Sequence, residues 1–507
     1  MIQAQILYSK LQSIGREVGD NLQRISRSPL LSQDRAFATA IFTNELKIAV
    51  QHQYEPEHLF ALKESVENLF DYFSFDIADG DVLLVADPYS GGTKGQSLTM
   101  AAPLFLEGEL VLFPAIRAQM IDLAGEYPGG FHPDAFEVWQ ENIRITPVKL
   151  YKQGVLQTDI LRFLLSNSRV PASFKADLEA MYTCLHGAKQ QLKTFLGSYG
   201  QKTVTESIES MFEYSQKRVE HHVSLLPETE MSAVQEFEVT KGNKSTIHVQ
   251  ISKKDDAVEI DLSRSSAQSV KPVNSPAALT KAFSVWPFLA RVADEIPINE
   301  GTLQPFQTKT RLGTILDPEF PAATALAPSI TGHFIAEAVY KAIQSGQGTN
   351  EEFPPIYGTG PQAVFYPELG TEAETKSIAL APGYPSASKG FGPPALFGQR
   401  MLVSAEELEL YYGFKMVSRE WTDNGEEMKV SLLNQEDDIY FNLLLPFSER
   451  GEYGSLSRTG DHDETFYEST VNQHVKKATS SSLRTLKRRS SYDQPGLYPI
   501  TGGRRFS

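Results

Sequence analysis

The residues best placed to do chemistry lie in "DPYSGGTKGQS", residues 87 to 97, directly after the apolar run "DVLLVA". Two glycines and a threonine in front of a lysine at the end of a strand suit a cradle for a phosphate. The same letters also suit a metal loop that has lost its ligands. "GGTKG" has the wrong length for a P-loop, and there is no Gly-x-Ser-x-Gly elbow, Walker lysine or dinucleotide fingerprint. Other chemistry-bearing letters have ordinary readings. His58 sits in helical spacing, where a histidine is usually a hydrogen-bonded core residue. His221 and His222 are adjacent, so their side chains diverge on a helix and do not share a metal. His462 in "GDHDETFYE" has metal-like neighbours, but Asp-rich loops are ordinarily solvated. Cys184, in an apolar helical stretch, reads as packing and not as a nucleophile.

These residues must be held by a large soluble body. The chain has 507 residues, which suggests about two to four domains. It is 41% hydrophobic and 22% charged, a globular composition. No window reaches the roughly 18 apolar residues that span a bilayer. "MIQAQILYSKLQSIGREVG" is amphipathic and lacks the pattern of a signal peptide. A single cysteine rules out an internal disulfide and multi-cysteine zinc sites, and favours a reducing cytoplasm. The net charge of -16 argues against a nucleic-acid partner.

Ile6, Leu7, Leu11, Ile14, Val18, Leu22 and Ile25 recur at spacings of three and four, which predicts a helix of about five turns. "FATAIFTNELKIAVQ" reads as two strands joined at Thr43-Asn44-Glu45, and "LFLEGELVLFPAIRAQ" as a hairpin tipped by Glu107-Gly108-Glu109. Between them, "PEHLFALKESVENLFDYF" is helical, with Pro56 in its first turn. Residues 155 to 226 read as mostly helical on both sides of Pro171. "EFEVTKGNKSTIHVQISKKDDAVEIDL" alternates like a meander, and a helix follows near "SPAALTKAFSVWPFLARVA". Residues 345 to 400, rich in Gly and Pro, show no period. "ELELYYGFKMVSREW" and "EMKVSLLNQEDDIYFNLLLPF" read as late strands. The end, "KKATSSSLRTLKRRSSYDQPGLYPITGGRRFS", is basic and poor in core residues; it reads as a disordered tail that docks on an acidic face of this chain or a partner.

Several blocks in order are more specific: "GDVLLVADPYSGGTKGQS", "PGGFHPDAFEVWQENIRITPVKLY", "NSRVPASFKADLEA", "IPINEGTLQPFQ" and "LDPEFPAAT". Together they resemble the hydantoinase B, or oxoprolinase B, family, which includes acetone carboxylase and caprolactamase subunits. The resemblance runs from near residue 6 to about 345. It implies an α+β, multidomain fold with mixed sheets. It also implies a type-A partner that binds ATP and Mg and phosphorylates an amide or enol oxygen, while the B-type chain completes ring opening or carboxylation at a divalent metal. A metal-bound hydroxide attacks at neutral pH because the cation lowers the pKa of its water.

The family's loop reads Asn-Asp-Pro-Tyr, then Gly-Gly-Thr-His, with an Asp three residues later. The resemblance implies metal ligands at that His and Asp, at the first His of a His-His-Ala-Asp block, and at an Asp before Phe in the first hairpin. Here these positions hold Lys94, Ser97, Gln119 and Ala36, and the loop's first position is Ala86. Asp122 keeps the Asp of the third block, Asp34 lies two residues from the fourth position, and His58 keeps the second His of a His-x-Pro-x-His pattern whose first is Tyr54. All four implied ligands are therefore changed, and the chain is expected to hold no metal and no cofactor. Lys94, Asp122, His58 and Gln119 remain as a candidate substrate pocket. Lys94 is expected to pair with Asp122 or with a substrate carboxylate, or else to lie solvated on its loop.

The leading expectation is a metal-free B-type subunit of an ATP-dependent cyclic-amide hydrolase or related carboxylase, working in a hetero-oligomer on a small cyclic amide or ketone. The alternative is a pseudoenzyme that scaffolds or regulates such a complex, and a third is a standalone enzyme. The expected organisation is an N-terminal α+β domain over 1–150, a helical segment over 151–230, a hairpin and helix segment over 231–345, a β-rich region over 346–470 and a tail over 471–507.

Overall fold

The computed structural model describes residues 2–347 except 131, 255–256 and 290–295, and beyond these the segments 362–367, 376–378, 405–412, 414–421, 427–435, 439–444, 455–459, 464–466, 470–475 and 480–486. The expected α+β architecture with mixed sheets is what forms. Helix α1 (Ile2–Ile25) and the short α2 (Pro29–Ser32) lead into strands β1 (Phe37–Thr43) and β2 (Ile48–Gln53). Then come α3 (Ala61–Phe73), β3 (Val82–Ala86), β4 (Ser97–Ala101), β5 (Leu104–Leu106), β6 (Glu109–Gln119), α4 (Val138–Glu141), β7 (Ile145–Lys152) and β8 (Val155–Leu156).

The strands make one sheet in the order β2-β1-β6-β4-β3-β7-β8, with β5 also on β6. Every pairing in it is antiparallel, so side chains alternate between two faces. One face carries Phe37, Leu84, Leu98, Met100, Ile116 and Ala118, and it is closed by α6 (Pro171–Tyr199) through Phe174, Leu178, Met181 and Leu185. Pro171 is the first residue of that helix, where its missing N–H costs nothing. Before it stands α5 (Thr158–Ser166), and after it α7 (Gln201–Ser224). Cys184 belongs to this core, and burial pushes its thiol up to about 11, in keeping with packing.

The other face is divided. Ala40, Phe42, Leu83, Val85, Ala101, Phe113 and Ala115 join a hydrophobic cluster shared with the second sheet. That sheet is the expected meander β9 (Met231–Thr240), β10 (Asn243–Lys254) and β11 (Ala257–Asp261), with β12 (Phe306–Lys309) parallel to β11. Helices α8 (Ala277–Leu289) and α10 (Thr331–Gln347) pack into the same cluster, and Phe237 stacks on Phe334 at 4.5 Å. The short α9 (Glu300–Leu303) is tied back to the first sheet, where Glu300 accepts the Ile48 N–H at 3.0 Å. The other end of this face carries polar side chains and small alanines, and it forms the floor of the site below.

Three local readings are corrected. Pro56 opens a separate 3₁₀ turn, Pro56–His58, because Phe60 adopts the left-handed region at φ 58° and α3 starts only at Ala61. "AEELELYY" forms a helix, Ala405–Tyr412, and the strand that follows it is Phe414–Trp421. Two strands run through the segment read as a disordered tail. Thr470–Val475 pairs with Ile439–Leu444, and Ser480–Leu486 lies between Glu427–Asn434 and Ser455–Thr459. Composition hides them because their backbone partners lie far away in sequence, and a Ser-rich strand with both edges paired needs little intrinsic propensity. Residues 487–507, His462 and most of the Gly- and Pro-rich stretch lie outside the described residues. No described helix is long and apolar enough to cross a membrane.

Candidate functional site

At the polar end of the first sheet, three positions fall in one row. Ser97 on β4 pairs with Gln119 on β6, and the Gln119 N–H donates to the carbonyl of Ala36, just before β1, at 2.8 Å. One step along, Thr99 pairs with Arg117, and Arg117 with Ala38. Ala38 faces Gln53 on β2, and Ala40 faces Gln51. Residues directly opposite share a face. Ser97, Thr99, Arg117, Gln119, Ala36, Ala38, Gln51 and Gln53 therefore form one floor, and the alanines leave room above it.

Two segments roof this floor. The first is the 87–97 loop. Asp87 shapes it: one carboxylate oxygen accepts the Tyr89 N–H at 3.1 Å, and the other accepts the Ser90 hydroxyl at 2.7 Å and Arg144 at 2.8 Å. Its glycines are required by close packing. A Cβ on Gly91, at φ 77°, would stand 2.4 Å from the Glu64 carbonyl oxygen, and one on Gly95 would stand 1.8 Å from Asn142 Oδ1. The chain itself thus occupies the space beside both glycines where a side chain would stand. The second segment is 54–60, turned across the sheet by the 3₁₀ turn and by Phe60. It carries Glu55, Glu57 and His58, which are 6%, 4% and 0% exposed.

The four positions at which the resemblance implies ligands lie close together. Lys94 Nζ donates to Gln119 Oε1 at 3.0 Å, and the Ser97 hydroxyl lies 3.5 Å from Glu57 Oε1. His58 joins them, with Nε2 3.6 Å from Glu57 Oε1 and 3.8 Å from Glu55 Oε2. Asp122 does not. It lies past the end of β6, where it accepts Arg169 Nη1 at 2.9 Å and the Arg169 N–H at 2.7 Å. The expected Lys94–Asp122 pair is therefore corrected: Lys94 is held by Glu57, at 3.1 and 3.2 Å from its two carboxylate oxygens. Lys94 is 5% exposed, so the solvated-lysine reading is corrected too. Tyr54 packs elsewhere, edge-on to Phe37 at 4.9 Å, with the Arg35 guanidinium over its ring.

Arg117 and the two glutamates were missed in the sequence. Arg117 is 1% exposed, and its guanidinium donates to Ser65 and Thr99 at 3.0 and 2.9 Å and to Thr93 at 2.9 Å. Burial lowers its pKa to about 10, while the nearby Glu57 charge pulls it back, so it stays protonated at neutral pH. A lone charge inside "LVLFPAIRAQ" and two glutamates around Pro56 were the available signals.

The residues at the four implied positions do not fit a divalent ion. Ala36 has no donor atom, an ammonium has no lone pair, and the Gln119 oxygen is engaged by Lys94. A different trio has metal-like geometry: donor atoms of Glu55, Glu57 and His58 all lie within 4.8 Å of one another. Glu57 in that trio is already in contact with Lys94.

A family model described as "Hydantoinase B/oxoprolinase" matches residues 1–357. Caprolactamase subunit beta of Pseudomonas jessenii is 32% identical over 195 residues, covering 38% of this chain and 34% of that subunit. The 5-oxoprolinase 1 of Arabidopsis thaliana is 25% identical over 372 residues, covering 68% of this chain and 29% of that protein. The chain thus spans well under two thirds of the length of these curated relatives. Among solved structures, the ATP-dependent caprolactamase from Pseudomonas jessenii superposes with a TM-score of 0.85 at 22% identity, covering 96% of this chain and 90% of that one. Nucleotide-free acetone carboxylase superposes with a TM-score of 0.79 at 12% identity, covering 96% and 75%. At these identities the likeness is one of fold.

Proposed function

We propose, from the premise that the chain belongs to the hydantoinase B/oxoprolinase family, that it is the B-type subunit of an ATP-dependent assembly that opens a cyclic amide or carboxylates a small ketone, and that it works without a divalent ion at the family's metal position. A type-A partner subunit would bind ATP and magnesium and transfer the γ-phosphoryl group to the substrate's amide oxygen. Water then adds to the activated carbon, the ring C–N bond breaks as the leaving nitrogen takes a proton, and a second water hydrolyses the resulting acyl phosphate to a carboxylate and free phosphate. The observation that carries the metal-free part is the Lys94 ammonium, 3.0 Å from Gln119 and 3.1 Å from Glu57, at the convergence of the four changed positions. A buried cation beside polar side chains can stabilise charge that develops on a neighbouring oxygen.

A second reading, a B-type subunit that scaffolds its partner without chemistry of its own, is favoured by one observation. Lys94 is paired and 5% exposed, and the one hydroxyl described in its cluster, that of Ser97, reaches the Glu57 carboxylate only at 3.5 Å, a long contact for a nucleophile and its base. Co-expression with a type-A partner separates the two. ATP-dependent opening of hydantoin, oxoproline or a lactam is assayed with each chain alone and together, with size-exclusion chromatography to detect the complex. Turnover that needs both chains, survives chelation of ions other than magnesium and falls in Lys94→Met supports the first reading. A complex whose rate is unchanged by Lys94→Met and Gln119→Ala supports the second. Turnover by this chain alone without ATP overturns both.

A further inference from the structure

The site has the outline of a cation site with the cation supplied by the chain itself. Lys94 Nζ meets three oxygens, the two of Glu57 at 3.1 and 3.2 Å and the Gln119 amide oxygen at 3.0 Å. Beyond this ring, Glu57 Oε1 lies 3.6 Å from His58 Nε2, which lies 3.8 Å from Glu55 Oε2. Two carboxylates, an imidazole and an amide oxygen are a mixed set of the kind that holds manganese, iron or zinc. Such an ion needs bonds of about 2.0 to 2.2 Å. An ammonium is satisfied at about 3 Å and carries its own protons. The pocket therefore serves one cation or the other, and not both.

The charges lead to the same conclusion. Glu55 and Glu57 bring two negative charges. Lys94 brings one positive charge, and Arg117, which interacts electrostatically with Glu57, brings another. Lys94 is the cation in direct contact with Glu57. Because all four side chains are buried, the excess charge left by removing Lys94 has little water to screen it. Arg117 is held by Ser65, Thr93 and Thr99 and is not available to move across.

We propose that Lys94 is the tethered cation of this site, standing between Glu57 and Gln119 in place of a divalent ion, and that its removal opens a divalent-cation site built from Glu55, Glu57 and His58. The inference rests on the reading of a changed metal position given above. It is measured by ion binding and melting, whereas that reading depends on ATP-dependent turnover, so the two fail separately.

The test compares the full-length wild type, Lys94→Ala, Lys94→His, and Lys94→His combined with Glu57→Gln, each titrated with Mn²⁺ and with Zn²⁺. Retained metal is measured by elemental mass spectrometry after dialysis, and melting is followed with and without the ion. The wild type is expected to retain neither ion and to melt at the same temperature in both conditions. The two single variants are expected to retain about one ion per chain and to melt a few degrees higher with it, since an ion bound only by the folded state stabilises that state. Adding Glu57→Gln is expected to abolish both effects. Lys94→His keeps bulk in the pocket and carries the test if the alanine variant is insoluble. A wild type that retains about one ion per chain overturns the proposal. So do folded single variants that take up no ion, or variants that stay insoluble even when the ion is supplied during expression.

Discussion

Both carboxylate oxygens of Glu57 face one ammonium, that of Lys94, at 3.1 and 3.2 Å, with 5% and 7% of the two side chains exposed. A pair this buried pays for desolvation with its mutual attraction and its remaining hydrogen bonds, so removing either partner strands the other. Lys94→Met and Glu57→Gln are each expected to cost about 3 to 5 kcal/mol. The double variant is expected to cost less than the sum by about 0.5 to 3 kcal/mol. Denaturant unfolding of the four proteins measures this. Strictly additive losses would show that the contact carries no coupling energy.

Asp122 is expected to couple to Arg169 instead. Burial raises its pKa, and the Arg169 N–H and guanidinium partly offset that rise. Asp122→Asn and Arg169→Met should be non-additive in the same unfolding experiment, while Asp122→Asn and Lys94→Met should add within about 0.5 kcal/mol. Coupling between Lys94 and Asp122 would contradict the observed partners.

Glu141 sets a pH dependence. It is fully buried, and its oxygens accept the Thr324 N–H at 3.0 and 2.9 Å and the Ala325 N–H at 2.8 Å. Burial outweighs these bonds and pushes its pKa from 4.5 to about 8. The folded state thus holds this proton more tightly than the unfolded chain does. Below about 4.5 both states are protonated; as pH rises from there to about 8, only the unfolded chain gives up its proton, and stability falls by on the order of a few kcal/mol. Melting temperature followed from pH 5 to 8 should decline in the wild type and decline less in Glu141→Gln. Parallel curves would rule out Glu141 as the source.

The two kinds of glycine should behave differently. Gly95→Ala places a methyl group within 1.8 Å of the Asn142 side chain, in the loop that aims Lys94, and is expected to cost about 1 to 3 kcal/mol. Gly108→Ala meets nothing within 4 Å at the hairpin tip and suffers only from its φ of 85°, about 1 kcal/mol. Thermal melting of both tests this, and an equal loss would mean that the loop yields to the methyl group.

The apolar run in "DVLLVA" and the hairpin pattern of "LFLEGELVLFPAIRAQ" were enough to place β3, β5 and β6, because a strand buried on both faces reads as a short continuous apolar stretch whatever lies opposite. Ordered motif blocks likewise identified the family, and Ser97, Gln119 and Ala36, three of the positions at which the resemblance implies ligands, fall in one row because register carries local letters into neighbouring strands. What Lys94 touches was beyond such patterns. Its partner Glu57 is 37 residues away, brought over the sheet by a turn that depends on one left-handed residue, Phe60. Asp122, only three residues beyond Gln119, sits outside the strand, where alternation no longer dictates direction, and an arginine 47 residues further on captures it. The Ser-rich strand 480–486 is a strand only because two distant strands pair with its edges. Local periodicity decides which face a residue occupies. Which buried charge meets which is decided by the demand that every charge removed from water find a partner, and only the packed chain can meet that demand.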